Sequence, residues 1–274
     1  MLAFSFYIGL ASALFVTGFQ PFLAIKLTGQ QHGLYTASML LLVWKVYLLD
    51  RTIEHPEDES RSSGNAAAFV RRFRPACLAL LAVLCALQAW LIAREPRLLG
   101  CIAVSLGSSL FYFVKLPLLR KRAKEIPYFK CFYLASCALM SVVAFTPGIA
   151  WTFSAGDVAA LALCFVLLFL NFSLYDIKDL EADARANIKT LAAVLPLGRF
   201  LNLQVLTSLT TAGASLWLLP GTAGYVLAVV CVFHALMSQW LKRHELTAPT
   251  CGIIDCGYGV ILGVGTLLSG GLPR

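Results

Sequence analysis

Nine long apolar stretches constrain this chain more strongly than any other feature of its sequence. They lie near residues 2–25, 34–50, 75–93, 98–119, 128–149, 157–176, 200–219, 221–241 and 251–271. A hydrocarbon core is about 30 Å thick, so a helix that crosses it needs about 20 apolar residues. The runs are continuous, whereas barrel strands would show short alternating segments, and a backbone in lipid must satisfy its hydrogen bonds within helices. The sequence therefore predicts an all-α, polytopic membrane bundle of about nine transmembrane helices, formed as a single domain over residues 1–274.

The basic residues are distributed unevenly between the loops. The chain is 59% hydrophobic and 13% charged, with a net charge of +8, against about 25% charged residues in soluble domains. Of the 21 Lys and Arg residues outside the spans, 17 fall on the side of the N-terminus. Because basic loops stay in the cytoplasm, we expect a cytoplasmic N-terminus and an outside C-terminus in an inner or plasma membrane. The positive charge then reflects topology and contact with anionic lipid, and it does not indicate binding of nucleic acid.

The nine cysteines fall mostly inside the apolar stretches, and no pair forms a CxxC motif. Cysteine at such positions acts as a small apolar residue. Neither a disulfide framework nor a zinc site is expected. The sequence also contains no dinucleotide-binding fingerprint and no Walker loop.

Two clusters of acidic residues stand at the ends of the second and sixth stretches. Asp176, Asp179 and Asp183 are offset by three and seven, which places them on one face of a helix. Asp50 and Glu54, at i and i+4, also share a face. Like charges at this spacing destabilise a helix, and partial desolvation near lipid increases the cost. A divalent cation such as Mg²⁺, which prefers hard oxygen ligands, would remove the conflict.

Two other interpretations of the acids stay open. Acids at a helix end often form a solvated cap, which suits the stretch EHPEDE at 54–59. Intramembrane acids also mark ion or proton pathways, and that interpretation predicts acids in the middle of spans. The clear example is Asp255, near the start of the ninth stretch.

The second acidic cluster carries a resemblance to a known family. The stretch DIKDLEADARANIKTLAAVLPLGR, at 176–199, is similar to the second motif of the UbiA-type membrane prenyltransferase superfamily, which is DxxDxxxD followed by Lys-Thr-Leu and a glycine. The first family motif, NDxxDxxxD, corresponds to VYLLDRTIE at 46–54. Asp50 matches this motif, Glu54 stands for its last Asp, and Tyr47 replaces its first Asp. RRFRP at 71–75 and IIDCG at 253–257 resemble further family patterns. The chain therefore resembles a divergent member whose first motif is altered.

The resemblance covers essentially the whole chain and implies a prenyltransferase of isoprenoid biosynthesis. Its substrates would be an isoprenyl diphosphate and a hydrophobic acceptor, aromatic or lipid, with Mg²⁺ as the cofactor. The catalytic metal site would consist of Asp50, Glu54, Asp176, Asp179 and Asp183. The implied substrate-binding residues, which include members of the basic stretch at 112–130, are Tyr47, Arg51, Lys115, Arg120, Lys121, Lys130, Tyr175 and Lys189. Tyr112 is a further candidate in that stretch.

Two rival functions accompany this interpretation. A UbiA-type terpene cyclase would act on the same diphosphate without an acceptor, and Tyr47 in place of Asp fits such a divergent relative. A non-catalytic or ion-binding membrane protein would use the acids to bind an ion or a partner. Prenyl transfer predicts that the active site opens to the cytoplasm, because both acidic clusters fall on the basic side.

Overall fold

The computed structural model describes residues 9–52, 69–70, 72–116, 120–149, 152–185 and 187–271, and these residues form an all-helical bundle without strands. The helices are α1 Leu10–Thr28, α2 Gly33–Thr52, α3 Arg74–Arg94, α4 Leu98–Phe113, α5 Lys130–Ala144, α6 Ala155–Arg185, α7 Leu191–Val194, α8 Leu197–Leu218, α9 Thr222–Trp240 and α10 Ala248–Gly271. A short 3₁₀ turn, Ala123–Glu125, lies between α4 and α5. Within the described ranges, every helix except α7 corresponds in order to one apolar stretch, which confirms the predicted fold class.

Within the described part of the chain, six helices are long and apolar enough to cross a membrane, namely α1, α2, α3, α6, α9 and α10. The apolar segments of α4 and α5 are shorter, at Leu98–Tyr112 and Lys130–Ala144. α8 has 22 residues, but one of its faces buries Gln204, Ser208, Thr211 and Ser215. The chain is therefore an integral membrane protein by the character of its helices, and membrane crossing by α4, α5 and α8 stays a prediction.

The start of α1 differs from the predicted stretch 2–25. The helix begins at Leu10 because Gly9 has a φ of 77°, a left-handed conformation that glycine adopts without steric cost. A Cβ atom at Gly9 would lie 2.6 Å from Cβ of Tyr47 in α2, so the contact between these helices also requires glycine. The described helix therefore begins later than the predicted stretch, whose first residues lie outside the described ranges.

α6 is longer than the stretch 157–176 that the sequence predicts, since it runs over 31 residues. A helix of this length measures about 46 Å and exceeds the roughly 30 Å of a hydrocarbon core. Its last turns extend beyond the apolar span Ala155–Leu180 and carry Asp183. The chain leaves the helix before Asn187, whose φ of 55° is left-handed, a region that Asn tolerates better than most residues.

α1 and α10 pack side by side and run in the same direction. Ser12, near the start of α1, contacts Asp255, near the start of α10. Further along both helices, the position of Gly18 faces Gly259 and Leu262, and small residues of this kind let two membrane helices approach closely. The start of α1 and the end of α10 therefore lie at opposite ends of the bundle.

Candidate active site

One end of the bundle, here named the acidic end, gathers the ends of α2 and α6 and the starts of α1, α5 and α10. The contacts of Gly9 and Ser12 bring the start of α1 to the end of α2 and the start of α10. Lys130, the first residue of α5, contacts the end of α6. An ion pair of 3.8 Å between the end of α1 and the start of α6 marks the opposite end. Asp50 and the acids of α6 thus lie at the same end of the bundle, as the sequence predicts.

Lys130 forms a buried ion triad with Asp176 and Asp183. Its Nζ atom lies 3.1 Å from Oδ1 of Asp176 and 3.0 and 2.8 Å from the two carboxylate oxygens of Asp183. The side chains are 9%, 4% and 7% exposed, respectively. The helical spacing of seven residues explains why both carboxylates meet one ammonium group. The start of α5 adds the positive end of a helix dipole.

The triad carries more negative than positive charge. Two carboxylates face one ammonium group, and the remaining oxygen of Asp176, Oδ2, accepts a 2.9 Å hydrogen bond from Sγ of Cys131. Asp183 lies beyond the apolar span of α6, and its burial raises its pKa to about 6 against the opposing effect of Lys130. An unpaired buried charge is costly, so the lysine is what permits two ionised carboxylates here.

Tyr112, near the end of α4, connects the acid of α2 to the acids of α6. Its side chain lies close enough to Asp50, Asp176, Asp179 and Lys130 to interact electrostatically with all four. Asp50 is half-buried. Asp179 keeps 24% of its side chain exposed, 3.4 Å from Nζ of the neighbouring Lys178. Asp50 of the first cluster and two acids of the second therefore lie within electrostatic range of the same tyrosine.

Lys124 is a buried basic residue near the site that sequence analysis did not single out. This lysine is only 8% exposed, and its Nζ atom lies 5.5 Å from the centroid of the Tyr112 ring, within range of a cation–π interaction. Nothing in its sequence context distinguishes it from the other basic residues of the same stretch. Its burial, which follows from the 3₁₀ turn that contains it, is visible only in the structure.

The other predicted site residues lie in different places. Four basic residues lie on the surface near the acidic end, namely Lys115, Arg120, Lys121 and Lys189. The carbonyl of Lys189 accepts a 2.9 Å hydrogen bond from the N–H of Tyr128, which ties the segment after α6 to the basic stretch. Tyr47 packs against Gly9. Arg51 belongs to α2, and Glu54 lies outside the described residues.

Tyr175 and Asp255 belong to a buried polar cluster on α1, α6 and α10. Asp255 is fully buried and accepts hydrogen bonds from Ser12 at 2.8 Å, Asn171 at 3.2 Å and Tyr175 at 2.5 Å. The Tyr175 hydroxyl, predicted to bind substrate, also lies 3.0 Å from the carbonyl of Cys251. The cluster joins three helices. All three side chains that donate to Asp255 are neutral, so within the described residues this carboxylate is held without an ion pair.

A second buried cluster, which sequence analysis also missed, joins α6, α8, α9 and α10. Nε2 of His234 lies 3.0 Å from Oε1 of Gln204, and Nε2 of Gln204 donates to Ser173 at 2.7 Å. Since the Gln204 oxygen can only accept, Nε2 of His234 carries the proton, and Nδ1 accepts from the hydroxyl of Tyr258. Each member has its partner, so this cluster is structural. The sequence contains one indication of this cluster, which is the presence of polar residues within apolar helices.

The donor atoms at the acidic end fit a divalent cation only in part. Within the described residues, no group of three or more His, Cys, Asp or Glu side chains is placed to hold a metal ion. Magnesium is, however, commonly held by one or two carboxylates together with substrate phosphates and water. Hard carboxylate oxygens on α2 and α6 supply that kind of partial shell, so the residues fit Mg²⁺ if a phosphate ligand completes it.

Comparisons with known proteins leave the family unassigned. No family model matches the sequence, and no curated protein matches it. A solved structure, from work on the biosynthesis of digeranylgeranylglyceryl phosphate synthase in membranes, aligns over 97% of both chains, with 14% sequence identity and a TM-score of 0.46. These values are too low to transfer a family or an activity. The fold and the site define the class: an all-helical membrane protein with an ion-paired acid cluster at one end.

Proposed function

We propose that this chain is an integral membrane prenyltransferase, which moves a prenyl group from an isoprenyl diphosphate to a hydrophobic aromatic or lipid acceptor. The observation that carries the proposal is the buried triad of Lys130, Asp176 and Asp183, at the same end of an apolar bundle as the buried Lys124. A diphosphate needs cations, and a prenyl chain needs an apolar space beside them. An isoprenyl diphosphate presents both features in one molecule.

The buried lysines are suited to hold the diphosphate. Lys124 and Lys130 both lie near Tyr112, and ammonium groups form strong charge-assisted hydrogen bonds with phosphate oxygens. Four exposed basic residues near the same end, Lys115, Arg120, Lys121 and Lys189, would hold the remaining negative charge. Tyr47, Arg51 and Tyr175 complete the proposed substrate-binding set.

The carboxylates are suited to hold Mg²⁺. In the proposal Asp176, Asp179 and Asp183 of α6 act with Asp50 and Glu54 of the first motif. Bound Mg²⁺ would neutralise the charge that develops on a departing diphosphate. Since the described residues lack a three-ligand group, the phosphate oxygens must complete the coordination.

The apolar bundle is suited to control the reactive carbon. In the proposed reaction, the bond between the prenyl carbon and the diphosphate oxygen breaks, and its electron pair leaves with the diphosphate. The allylic cation is then captured by a carbon or oxygen of the acceptor, which gives up a proton. Apolar walls exclude water during this step, and the ring of Tyr112 can stabilise positive charge over its face.

The test is a transfer assay on the purified protein in lipid vesicles. Labelled prenyl diphosphates of several chain lengths are supplied with quinone-precursor and lipid acceptors, with Mg²⁺ or with a chelator. The expected result is a labelled, organic-soluble product that requires Mg²⁺. Release of diphosphate that does not depend on any acceptor would indicate a cyclase or hydrolase instead. Absence of turnover with every chain length would favour a non-catalytic ion-binding protein.

A further inference from the structure

Two of the three acids that would bind Mg²⁺ in the second motif, Asp176 and Asp183, already have partners within the protein. Both oxygens of Asp183 and one oxygen of Asp176 contact the ammonium group of Lys130 at 2.8 to 3.1 Å. The other oxygen of Asp176 accepts from Cys131. A divalent cation at these carboxylates therefore competes with the ammonium group of Lys130 for the same oxygens.

We infer that Lys130 is an exchangeable counter-ion, which holds Asp176 and Asp183 before substrate binds and turns to the diphosphate when it arrives. This exchange frees both carboxylates for the metal ion. The inference rests on the proposed function for the identity of the diphosphate. It goes further because it makes metal binding by Asp176 and Asp183 depend on the presence of the phosphate ligand.

The charges of the cluster require this coupling. With Lys130 in place, one ammonium group offsets half of the charge of two buried carboxylates. A divalent cation added to that arrangement would stand beside the ammonium group, and repulsion between cations is strong where water is excluded. A diphosphate gives the lysine a new partner of opposite charge, so the repulsion is removed. Coupling of this kind is reciprocal: diphosphate tightens metal binding, and metal tightens diphosphate binding by the same factor.

The position of Lys130 allows the exchange. It is the first residue of α5, so its backbone lies at the acidic end of the bundle. Its side chain has a flexible four-carbon stem, which can turn the ammonium group to a new partner. Asp179 also lies within electrostatic range of Lys130, so the lysine is near the acid of the motif that it does not contact. The hydrogen bond from the thiol of Cys131 to Asp176 is a weak one, so its loss opposes the exchange little.

The test measures metal binding without turnover. Full-length protein in nanodiscs of neutral phosphatidylcholine is titrated with Mn²⁺ alone, and bound Mn²⁺ is followed by electron paramagnetic resonance. We expect Lys130→Met to bind Mn²⁺ at least about tenfold more tightly than the unchanged protein, since coupling energies between sites are commonly of this size. The matched control is Lys242→Met, which removes an exposed lysine bonded to Asn202 at the same end of the bundle. Its Mn²⁺ affinity should match that of the unchanged protein.

A second measurement does not depend on the folding of the Lys130 variant. The unchanged protein is titrated with Mn²⁺ in the presence of a prenyl thiolodiphosphate, which binds but ionises poorly, and complex formation in empty nanodiscs is subtracted. The expected result is an increase of at least about tenfold in Mn²⁺ affinity. Equal affinity with and without the analogue, or a Lys130→Met variant that binds Mn²⁺ no more tightly than the unchanged protein, overturns the inference.

The two proposals fail separately. Product formation in the transfer assay, together with equal Mn²⁺ affinity for the unchanged protein and Lys130→Met, would overturn the exchange and leave prenyl transfer standing. Tight Mn²⁺ binding by Lys130→Met alone, without turnover of any prenyl diphosphate, would support the counter-ion role of Lys130 and remove the proposed function.

Discussion

Asp179 differs from the two acids that flank it in the second motif. Asp176 and Asp183 are buried against Lys130, whereas Asp179 is 24% exposed beside Lys178. Three acids on one helical face therefore have two environments. Asp179 is the acid of α6 that can meet an incoming cation without displacing Lys130, so its contribution to binding should be separable from the stability of the triad.

Replacement of Asp179 should affect activity more than folding. We expect Asp179→Asn to lower prenyl transfer by about 100-fold or more, since a charged group that stabilises a developing charge typically contributes this much. Its partial exposure predicts normal membrane insertion and purification. The control is Asp157→Asn at the other end of α6, which should retain activity. Activity of Asp179→Asn within about threefold of the unchanged protein would remove its assignment as a metal ligand.

Asp50 tests whether the altered first motif is functional. It lies near Tyr112 and the acids of α6, although Tyr47 replaces an acid of the family pattern. We expect Asp50→Asn to raise the Mg²⁺ concentration needed for half-maximal transfer by about tenfold or more. Glu54→Asp, which restores the family residue, should be tolerated in the same Mg²⁺ titration. An unchanged Mg²⁺ requirement in Asp50→Asn would mean that this cluster is only a solvated cap.

The helices were predictable from the sequence, but their ends and polar contacts were predictable only in part. Apolar length alone gives the helices and their order, because lipid permits few other structures. The start of α1 depends on the left-handed Gly9 and its contact with Tyr47, which no local pattern announces. The apolar stretch ends at residue 176, but α6 continues to Arg185, as the helical spacing of the acids indicates. The pairing of Asp176 and Asp183 with Lys130 joins distant segments, and one sequence alone does not reveal such contacts.

The polar cluster around Asp255 should stabilise the packing of α1, α6 and α10. Tyr175→Phe removes one of three donors to a buried carboxylate, and a buried group deprived of a partner costs about 1 to 3 kcal/mol. We expect a lower midpoint of thermal unfolding in detergent, measured by intrinsic fluorescence. Tyr225→Phe, at an exposed tyrosine of α9, is the matched control and should leave the midpoint unchanged. Equal midpoints for both variants would show that the cluster does not stabilise the bundle.

At the scale of the whole molecule, charged groups gather at the end of the bundle where α6 extends beyond its apolar span. The buried triad and the exposed basic residues Lys115, Lys121 and Lys189 lie at or near the acidic end, while α6 extends beyond the apolar span at that end. A charged substrate head can therefore bind at the boundary of the membrane while its apolar chain enters the bundle. This arrangement serves prenyl transfer only if the acidic end faces the compartment that contains the diphosphate.

The orientation of the bundle is the prediction on which the cytoplasmic site depends. Because 17 of the 21 basic residues outside the predicted spans belong to the side of the N-terminus, the acidic end should face the cytoplasm. α1 and α10 run in parallel, so the chain should end on the other side. Reporters sensitive to the compartment are inserted at Ser62–Ser63, in the turn at Pro220–Gly221 and after Arg274. The first should report the cytoplasm, and the other two should report the outside. A cytoplasmic signal after Arg274 would contradict the parallel arrangement of α1 and α10, whereas reversal of all three signals would place the acidic end outside and the diphosphate site in the wrong compartment.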